Sequence, residues 1–393
     1  MVTNKMSKSS RLELLQKAKK RYLKSSKQEK IKILDELVLN TKMNRKYINR
    51  LLSAKVSIFD PEKKVINKKR KCKYTKQDIL CLSKIWEILD YPCGQRLQPA
   101  LGETIKVLVA FKELTISKET ITKLKKIGIS TIDTRLKPYK EKLLKKFTNG
   151  TKQGTVLKKQ IPIKTSSWQE NKIGFGELDC VIHCGNSAGG EFVSSLDFTD
   201  ILTQWTETDA VMGKAQSRII KALDKIESRL PFPLKGIDPD NGSEFINWQL
   251  YNHCLKKQIE FTRGRPYHKN DNAHIEQKNW TNIRKVFGYR RFDTEEQLNL
   301  INDLYGNELR NYKNFFIPNI KLTDKKRVGK NQEKIKRIYD KAKTPYQRVM
   351  ECDQIDKKSK KELQATYEKL NPAQLRRDVL AKLAKLKKMK SRD

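Results

Sequence analysis

The sequence predicts a multidomain protein with all-helical units in its N-terminal part, a central α/β domain and a basic C-terminal region. Three observations carry that expectation. The chain has 393 residues, about two to three times the usual length of one domain. Its apolar pattern switches from helical spacing to strand alternation at Ile173, and returns to a Lys-rich, helix-like pattern beyond residue 300. Finally, 85 Lys and Arg against 45 Asp and Glu leave a net charge of +40. This excess is spread along the whole chain and far exceeds what solubility needs, so a polyanionic partner, nucleic acid, is expected. No apolar signal segment opens "MVTNKMSKSSRLELLQKAKK" and no apolar run reaches membrane-spanning length, so a cytosolic protein without membrane association is the expectation. The seven cysteines form no CxxC pair and fit reduced thiols better than a disulfide framework.

Residues 1–59 read as short helices. Their end, "LNTKMNRKYINRLLSAK", has helix-turn-helix spacing: Asn40 or Thr41 breaks between helices, and Tyr47, Ile48, Leu51 and Leu52 form an apolar stripe. Arg45, Lys46, Asn49 and Arg50 then face outward, where phosphates and base edges would lie. A small helical hairpin with a basic exterior would show the same pattern. Residues 60–74, "DPEKKVINKKRKCKY", are polar and charged and read as a basic linker. A second helical, DNA-binding domain is expected at 75–147. There Gly128 makes the turn, Ser130 the N-cap, Ile132 and Leu136 the buried side, and Thr134, Arg135 and Lys137 the presented side. Residues 148–172 mix Gly, Thr, Ser, Lys and Pro and mark a further linker.

From 173 to 300 the elements follow in order. "IGFGELDCVIHC" is a strand, "GNSAGG" a hairpin-like turn, "EFVSSLDF" and "TQWTETDAV" two more strands, and "KAQSRIIKALDKIESRL" an amphipathic helix. Next come a strand in "FPLKGID", a helix in "SEFINWQLYNHCLKK", a short strand in "QIEFTR" and a long helix in "NAHIEQKNWTNIRKVFGYR". Three strands, helix, strand, helix, strand, helix is the order of the ribonuclease H-like α/β fold. Residues 301–393 are basic and mostly helical in pattern, anchored by "KTPYQRVM" and "LNPAQLRRDVL". Within them "LRRDVLAKLAKLKKMK" resembles a membrane-surface helix in isolation, but in so basic a chain it reads as DNA-facing or solvated.

Three carboxylates stand out. Alternation puts Phe175, Glu177, Asp179, Val181 and His183 on one strand face, so Asp179 sits mid-strand among residues expected to be buried and needs a partner. Cys180, His183 and Cys184 invite a zinc reading. On an extended strand, however, Cys180 and Cys184 lie about 13 Å apart, too far to share one ion. Asp240 follows the fourth strand and precedes a helix, which suits an N-cap as well as a metal ligand. Glu276 falls on the apolar stripe Ala273, Trp280, Ile283, Phe287 of the last helix, where a carboxylate calls for a cation.

The intervals are 60 residues between Asp179 and Asp240 and 35 between Asp240 and Glu276. With "LDC" around Asp179, "DNGSEF" from Asp240 and "RPYHKNDNAHIEQKNW" around Glu276, residues 173–290 resemble the DDE catalytic core of retroviral-integrase-like transposases. Over most of its length the chain is also similar to a bacterial insertion-sequence transposase subfamily. The resemblance implies that Asp179, Asp240 and Glu276 are catalytic and hold two Mg2+ ions, with Mn2+ as a substitute and Asp179 bridging the two. It further implies nicking at the element's 3′ ends and attack of the freed 3′-hydroxyl on target DNA. The implied partners are terminal inverted repeats, target DNA and further copies of the chain on that DNA, at the nucleoid of a bacterial cytoplasm.

Two features depart from the pattern of retroviral integrases. All four histidines lie at or beyond residue 183, which leaves no N-terminal His-His-Cys-Cys zinc module. Ile283 stands seven residues after Glu276, where those proteins carry a basic residue, so DNA contacts from this helix fall to Lys278, Arg284 or Lys285. Three other functions fit parts of the sequence: a DNA-binding regulator on an integrase-like scaffold, a ribonuclease H-like nuclease that only hydrolyses, and a metal-independent carboxylate-pair hydrolase.

Overall fold

The computed structural model describes residues 6–53, 73–144, 172–187, 189–239, 244–245, 247–262, 279–328 and 334–391. The chain divides into two compact units, Met1–Cys72 and Lys73–Asp393.

The first unit is a three-helix assembly of α1 (Lys8–Lys24), α2 (Lys27–Thr41) and α3 (Arg45–Ser53). A capping box starts α2, with Ser26 and Glu29 each accepting the other's backbone N–H. The helix ends at Lys42, whose left-handed φ of 54° turns the chain. The expected break at Asn40 or Thr41 falls one residue later because the Thr41 hydroxyl donates back to the Leu37 carbonyl at 2.6 Å, holding it in the last turn. Ile48, Leu51 and Leu52 pack against Leu15, Ile33 and Leu37. Tyr47 departs from the expected stripe: it is 42 % exposed, with the Arg50 guanidinium 5.2 Å over its ring. It stands at the edge of a stripe centred on Ile48.

The second unit begins with four helices, α4 (Lys76–Ile88), α5 (Gly94–Ala110), α6 (Lys118–Lys125) and α7 (Ile129–Leu144). Ile132 and Leu136 are buried. Gly128, not Ser130, takes the cap position of α7. Its carbonyl accepts the Ile132 N–H at 3.0 Å, and Ser130 already lies within the helix. Helices α4 to α7 share a continuous hydrophobic core with Trp205 and Phe232 and with Tyr312, Phe315 and Tyr346. Residues 75–144 are therefore packed into the second unit.

That unit is built on a five-stranded mixed sheet of β1 (Phe175–Ile182), β2 (Val193–Asp200), β3 (Thr206–Met212), β4 (Gly236–Pro239) and β5 (Glu260–Phe261), in the order β3-β2-β1-β4-β5. β1, β2 and β3 are antiparallel neighbours, while β4 runs parallel to both β1 and β5. The expected multidomain α/β architecture is thus observed, with β2 buried along its whole length between two strands and two covered faces. On one face, Leu178, Leu196, Phe198 and Ile237 pack under α8 (Gln216–Arg229) and α9 (Trp248–Lys256). On the other, Val181, Val193 and Ala210 meet Ile283 and Phe287, the helix Glu295–Leu304 and the last helix, Pro372–Lys388. Asp179 alternates with Val181 and so belongs to this second face.

Of the long helix expected to open near Asn270, the described part begins at Asn279. Residues Asn279–Arg284 are π-helical and continue as α-helix over Lys285–Phe287. A π-helical turn holds more residues than an α-turn, so residues at α-helical spacing drift apart around the axis. Ile283 and Phe287 are buried as expected, but Trp280 is 54 % exposed. Ala273 and Glu276 lie outside the described residues.

The C-terminal region is less helical than its pattern suggests. β6 (Leu322–Val328) and β7 (Lys334–Tyr339) form an antiparallel ribbon, in which Val328, Ile335, Ile338 and Tyr339 supply strand-favouring residues. Helices Pro345–Glu351 and Lys357–Lys369 precede the last one. The apolar stripe of that last helix is turned into the protein. Val379 and Leu386 are buried beside the sheet, and Lys382 pairs with Glu308 at 2.7 Å. Among the described residues no helix is long and apolar enough to cross a membrane.

Candidate functional site

The parallel pairing of β1 with β4 ends just before two candidate ligands in sequence. Its last two register pairs are Glu177 with Asp238 and Leu178 with Pro239. The residues that follow in sequence are Asp179 and Asp240. Asp240, Glu276 and Lys278 lie outside the described residues, so the geometry on view is that of Asp179 and its surroundings.

Asp179 is half-buried. Its Oδ1 accepts the Cys180 backbone N–H at 2.7 Å, and its Oδ2 accepts the side-chain amide of Asn279. Asn279 opens the π-helical segment, three residues beyond Glu276 in sequence. The carbonyl oxygen of the same Asn279 side chain is buried without a hydrogen-bond partner among the described residues. Directly opposite Asp179 in the β1–β2 register is Asp197, fully buried, which accepts the Thr208 hydroxyl at 2.8 Å. Directly opposed side chains on one sheet face lie close together, and two carboxylates there repel unless a cation or a proton joins them. An all-oxygen donor set of carboxylates, with an unmatched amide oxygen beside it, fits a hard divalent cation such as Mg2+.

The neighbouring ionisable groups have other tasks. Asp238 is buried and accepts the Thr262 hydroxyl at 3.1 Å. His183 is fully buried on the Asp179 face, with Nε2 at 2.8 Å from the Ser195 hydroxyl, which also accepts Tyr305 Oη at 2.8 Å. Burial, with the Arg284 charge adding to it, pushes the His183 pKa down to about 3. This imidazole stays neutral and closed to substrate. Cys180 points to the opposite sheet face, against the cluster under α8 and α9. Among the described residues no three His, Cys, Asp or Glu side chains gather as a metal site.

The residues expected to meet DNA divide into two groups. Arg45 pairs with Asp35 and also donates to the Ile31 carbonyl at 3.4 Å. Asn49 accepts the Tyr22 hydroxyl at 2.6 Å and the Ser53 hydroxyl at 3.1 Å. Both are thus engaged within the first unit, although they are exposed, as Lys46 and Arg50 are. On α7, Thr134 donates to the Ser130 carbonyl at 2.8 Å, while Arg135 and Lys137 are exposed. Arg284 stacks 4.8 Å over the Tyr289 ring. Lys285 donates to the Asp90 carboxylate at 2.6 Å and to the Asp90 carbonyl at 3.1 Å.

Two residues at the site, Asn279 and Asp197, were not anticipated from the sequence. Both left a signal there. Asn279 follows Glu276 by nearly one turn, and Asp197 is the acidic residue of the "SSLDF" strand that a hairpin would fold back onto "GELDC".

No family model matches the chain. A protein of Sinorhizobium fredii described as "Uncharacterized protein y4rM" is 32 % identical to it over 329 residues, covering 84 % of this chain and 92 % of that protein. The chain belongs to the same family as y4rM of Sinorhizobium fredii.

Proposed function

We propose that the protein is a DNA transposase of the DDE type, built on a ribonuclease H-like, retroviral-integrase-like core. It would bind the ends of a mobile element, cleave them and join their 3′ ends to target DNA. The observation that carries this reading is the surroundings of Asp179. The β1–β4 register ends one residue before both Asp179 and Asp240, and Asn279, three residues after Glu276, is bonded to Asp179. The strand order β3-β2-β1-β4-β5 with its antiparallel and parallel pairs supports the same core, and the net charge of +40 supports a DNA partner.

In this reading Asp179, Asp240 and Glu276 are the ligands, and Asn279 orients Asp179. When bound, a pair of Mg2+ ions, or Mn2+ in their place, supplies the positive charge that activates the attacking oxygen and stabilises the leaving one. Buried Asp197 and Thr208 hold the inner side of the face, and His183, neutral, fills the strand end beyond it. Exposed Lys46 and Arg50 of α3 and Arg135 and Lys137 of α7 would contact element ends, several copies of the chain assembling there.

The test is incubation of the protein with DNA bearing candidate terminal inverted repeats and Mg2+, followed by mapping of nicked and joined ends. Joined 3′ ends are expected. Nicking without joining would favour a purely hydrolytic nuclease, binding without nicking a DNA-binding regulator, and activity that persists in EDTA a metal-independent hydrolase.

A further inference from the structure

We infer that the ribbon β6–β7 is an additional duplex-DNA contact, seated in a groove between two phosphate strands. This rests on the reading of the protein as DNA-binding and adds a surface distinct from the two helix-turn-helix candidates and from the carboxylate site.

The ribbon is unusual in what it places opposite what. Lys326 faces Lys336 across the two strands, and Lys325 and Arg337 hold the neighbouring register position. Like charges directly opposed across a sheet destabilise it, and a two-stranded ribbon is marginal even without them. A core on one face would offset that cost, but among the described residues no side chain of the ribbon belongs to a buried apolar cluster. Lys326 and Lys336 on one side, and Arg327 and Arg337 on the other, are all exposed. Among the described residues Arg327, Lys336 and Arg337 form no ion pair, and Lys326 reaches only Asp324, at 3.8 Å.

The root of the ribbon, in contrast, is firmly held. Asn319 and Lys343 exchange backbone hydrogen bonds of 3.0 and 3.1 Å. Asp340 accepts the Lys321 N–H at 2.7 Å and the Arg348 guanidinium at 2.5 Å. A pinned base carrying a self-repelling ribbon is a surface whose charges are matched by a partner.

The two-faced charge identifies that partner. A flat anionic surface, such as a lipid bilayer, would engage one face and leave the other repelling. The major groove of B-form DNA admits a two-stranded ribbon and has phosphates along both walls, so both faces are matched at once. The deep, narrow major groove of duplex RNA does not admit it.

The experiment is a salt titration of full-length protein on duplex DNA of random sequence. It compares wild type with Lys326→Ala/Lys336→Ala, Arg327→Ala/Arg337→Ala and the fourfold variant. Each phosphate contact contributes about 0.9 to the slope of log K against log salt. The fourfold variant should therefore flatten that slope by about 2 to 4, and each pair alone by part of it. Thermal melts should show the variant folded and at least as stable as wild type, because the opposed charges are gone. An unchanged slope in a folded variant overturns the inference, as does a loss confined to anionic vesicles or duplex RNA. Wild type that nicks and joins DNA while the ribbon variants keep its slope would refute the ribbon contact alone. Wild type without duplex binding would refute the transposase reading as well.

Discussion

Asn279 is the residue on which the account of the site turns most sharply. Its amide donates to Asp179 while its own oxygen is buried without a partner among the described residues. Asn279→Ala should leave DNA binding unchanged and lower end cleavage by about 10- to 100-fold, as loss of a partner that orients a metal ligand does. The half-saturating Mg2+ concentration should rise with it, a shift that simple loss of packing would not give; a Mg2+ titration of cleavage decides. His183 makes a different prediction, about stability. Its folded pKa of about 3 lies below the ordinary 6.5, so the unfolded chain takes up a proton more readily than the native one. The stability from keeping it neutral is complete above pH 6.5 and is lost as pH falls from there toward 3, about 2 kcal/mol of it between pH 7 and pH 5. Urea unfolding at those two pH values should show a smaller pH dependence for His183→Gln than for wild type; equal dependence in the two proteins would contradict this assignment. The position of His183 on the Asp179 face was legible from strand alternation. Its network was not, because Ser195 meets a tyrosine 110 residues away.

At the scale of elements, pattern located strands and helices but not which outward polar side chains are already engaged within the protein. α3 was legible as a helix with Ile48, Leu51 and Leu52 inside, yet Asn49, on its outward list, is tied to Tyr22, 27 residues earlier. Lys46→Ala and Arg50→Ala should therefore weaken binding to element ends and flatten its salt slope by about 1 each, with little change in melting. Asn49→Ala should instead lower the melting temperature of the first unit, because the part-buried Tyr22 hydroxyl loses its acceptor. Equal loss of end binding for all three substitutions, with no change in melting, would make Asn49 a DNA contact and not a support for Tyr22. The π-helical turn at Asn279–Arg284 was not legible either, since α-helical spacing is assumed when a stripe is read; that assumption misplaced Trp280. The β6–β7 ribbon escaped for another reason. Lys and Arg dominate its sequence and carry no periodic apolar signal.

At the scale of the whole second unit, sequence spacing suggested separate blocks, whereas the packing joins them through contacts between distant residues. Asp90, between α4 and α5, is the hub. It meets Lys285 at 2.6 Å, Arg376 of the last helix at 3.3 Å and Lys313 at 3.6 Å. Burial opposes its charge, but the three cations outweigh burial and hold its pKa below the ordinary carboxylate range. Asp90→Ala strands the largely buried Lys313 and should cost about 3–5 kcal/mol in urea unfolding. Lys285→Ala, at a half-exposed position, should cost at most about 1 kcal/mol. Similar losses for both would mean that the hub is not buried in effect. The central claim concerns the three carboxylates, and one assay tests it most directly: end cleavage and joining in Mg2+ by wild type, Asp179→Asn, Asp240→Asn and Glu276→Gln, with end binding measured alongside. The account predicts that each substitution abolishes both reactions and leaves binding nearly intact. Substantial strand transfer by any one of the three would contradict it.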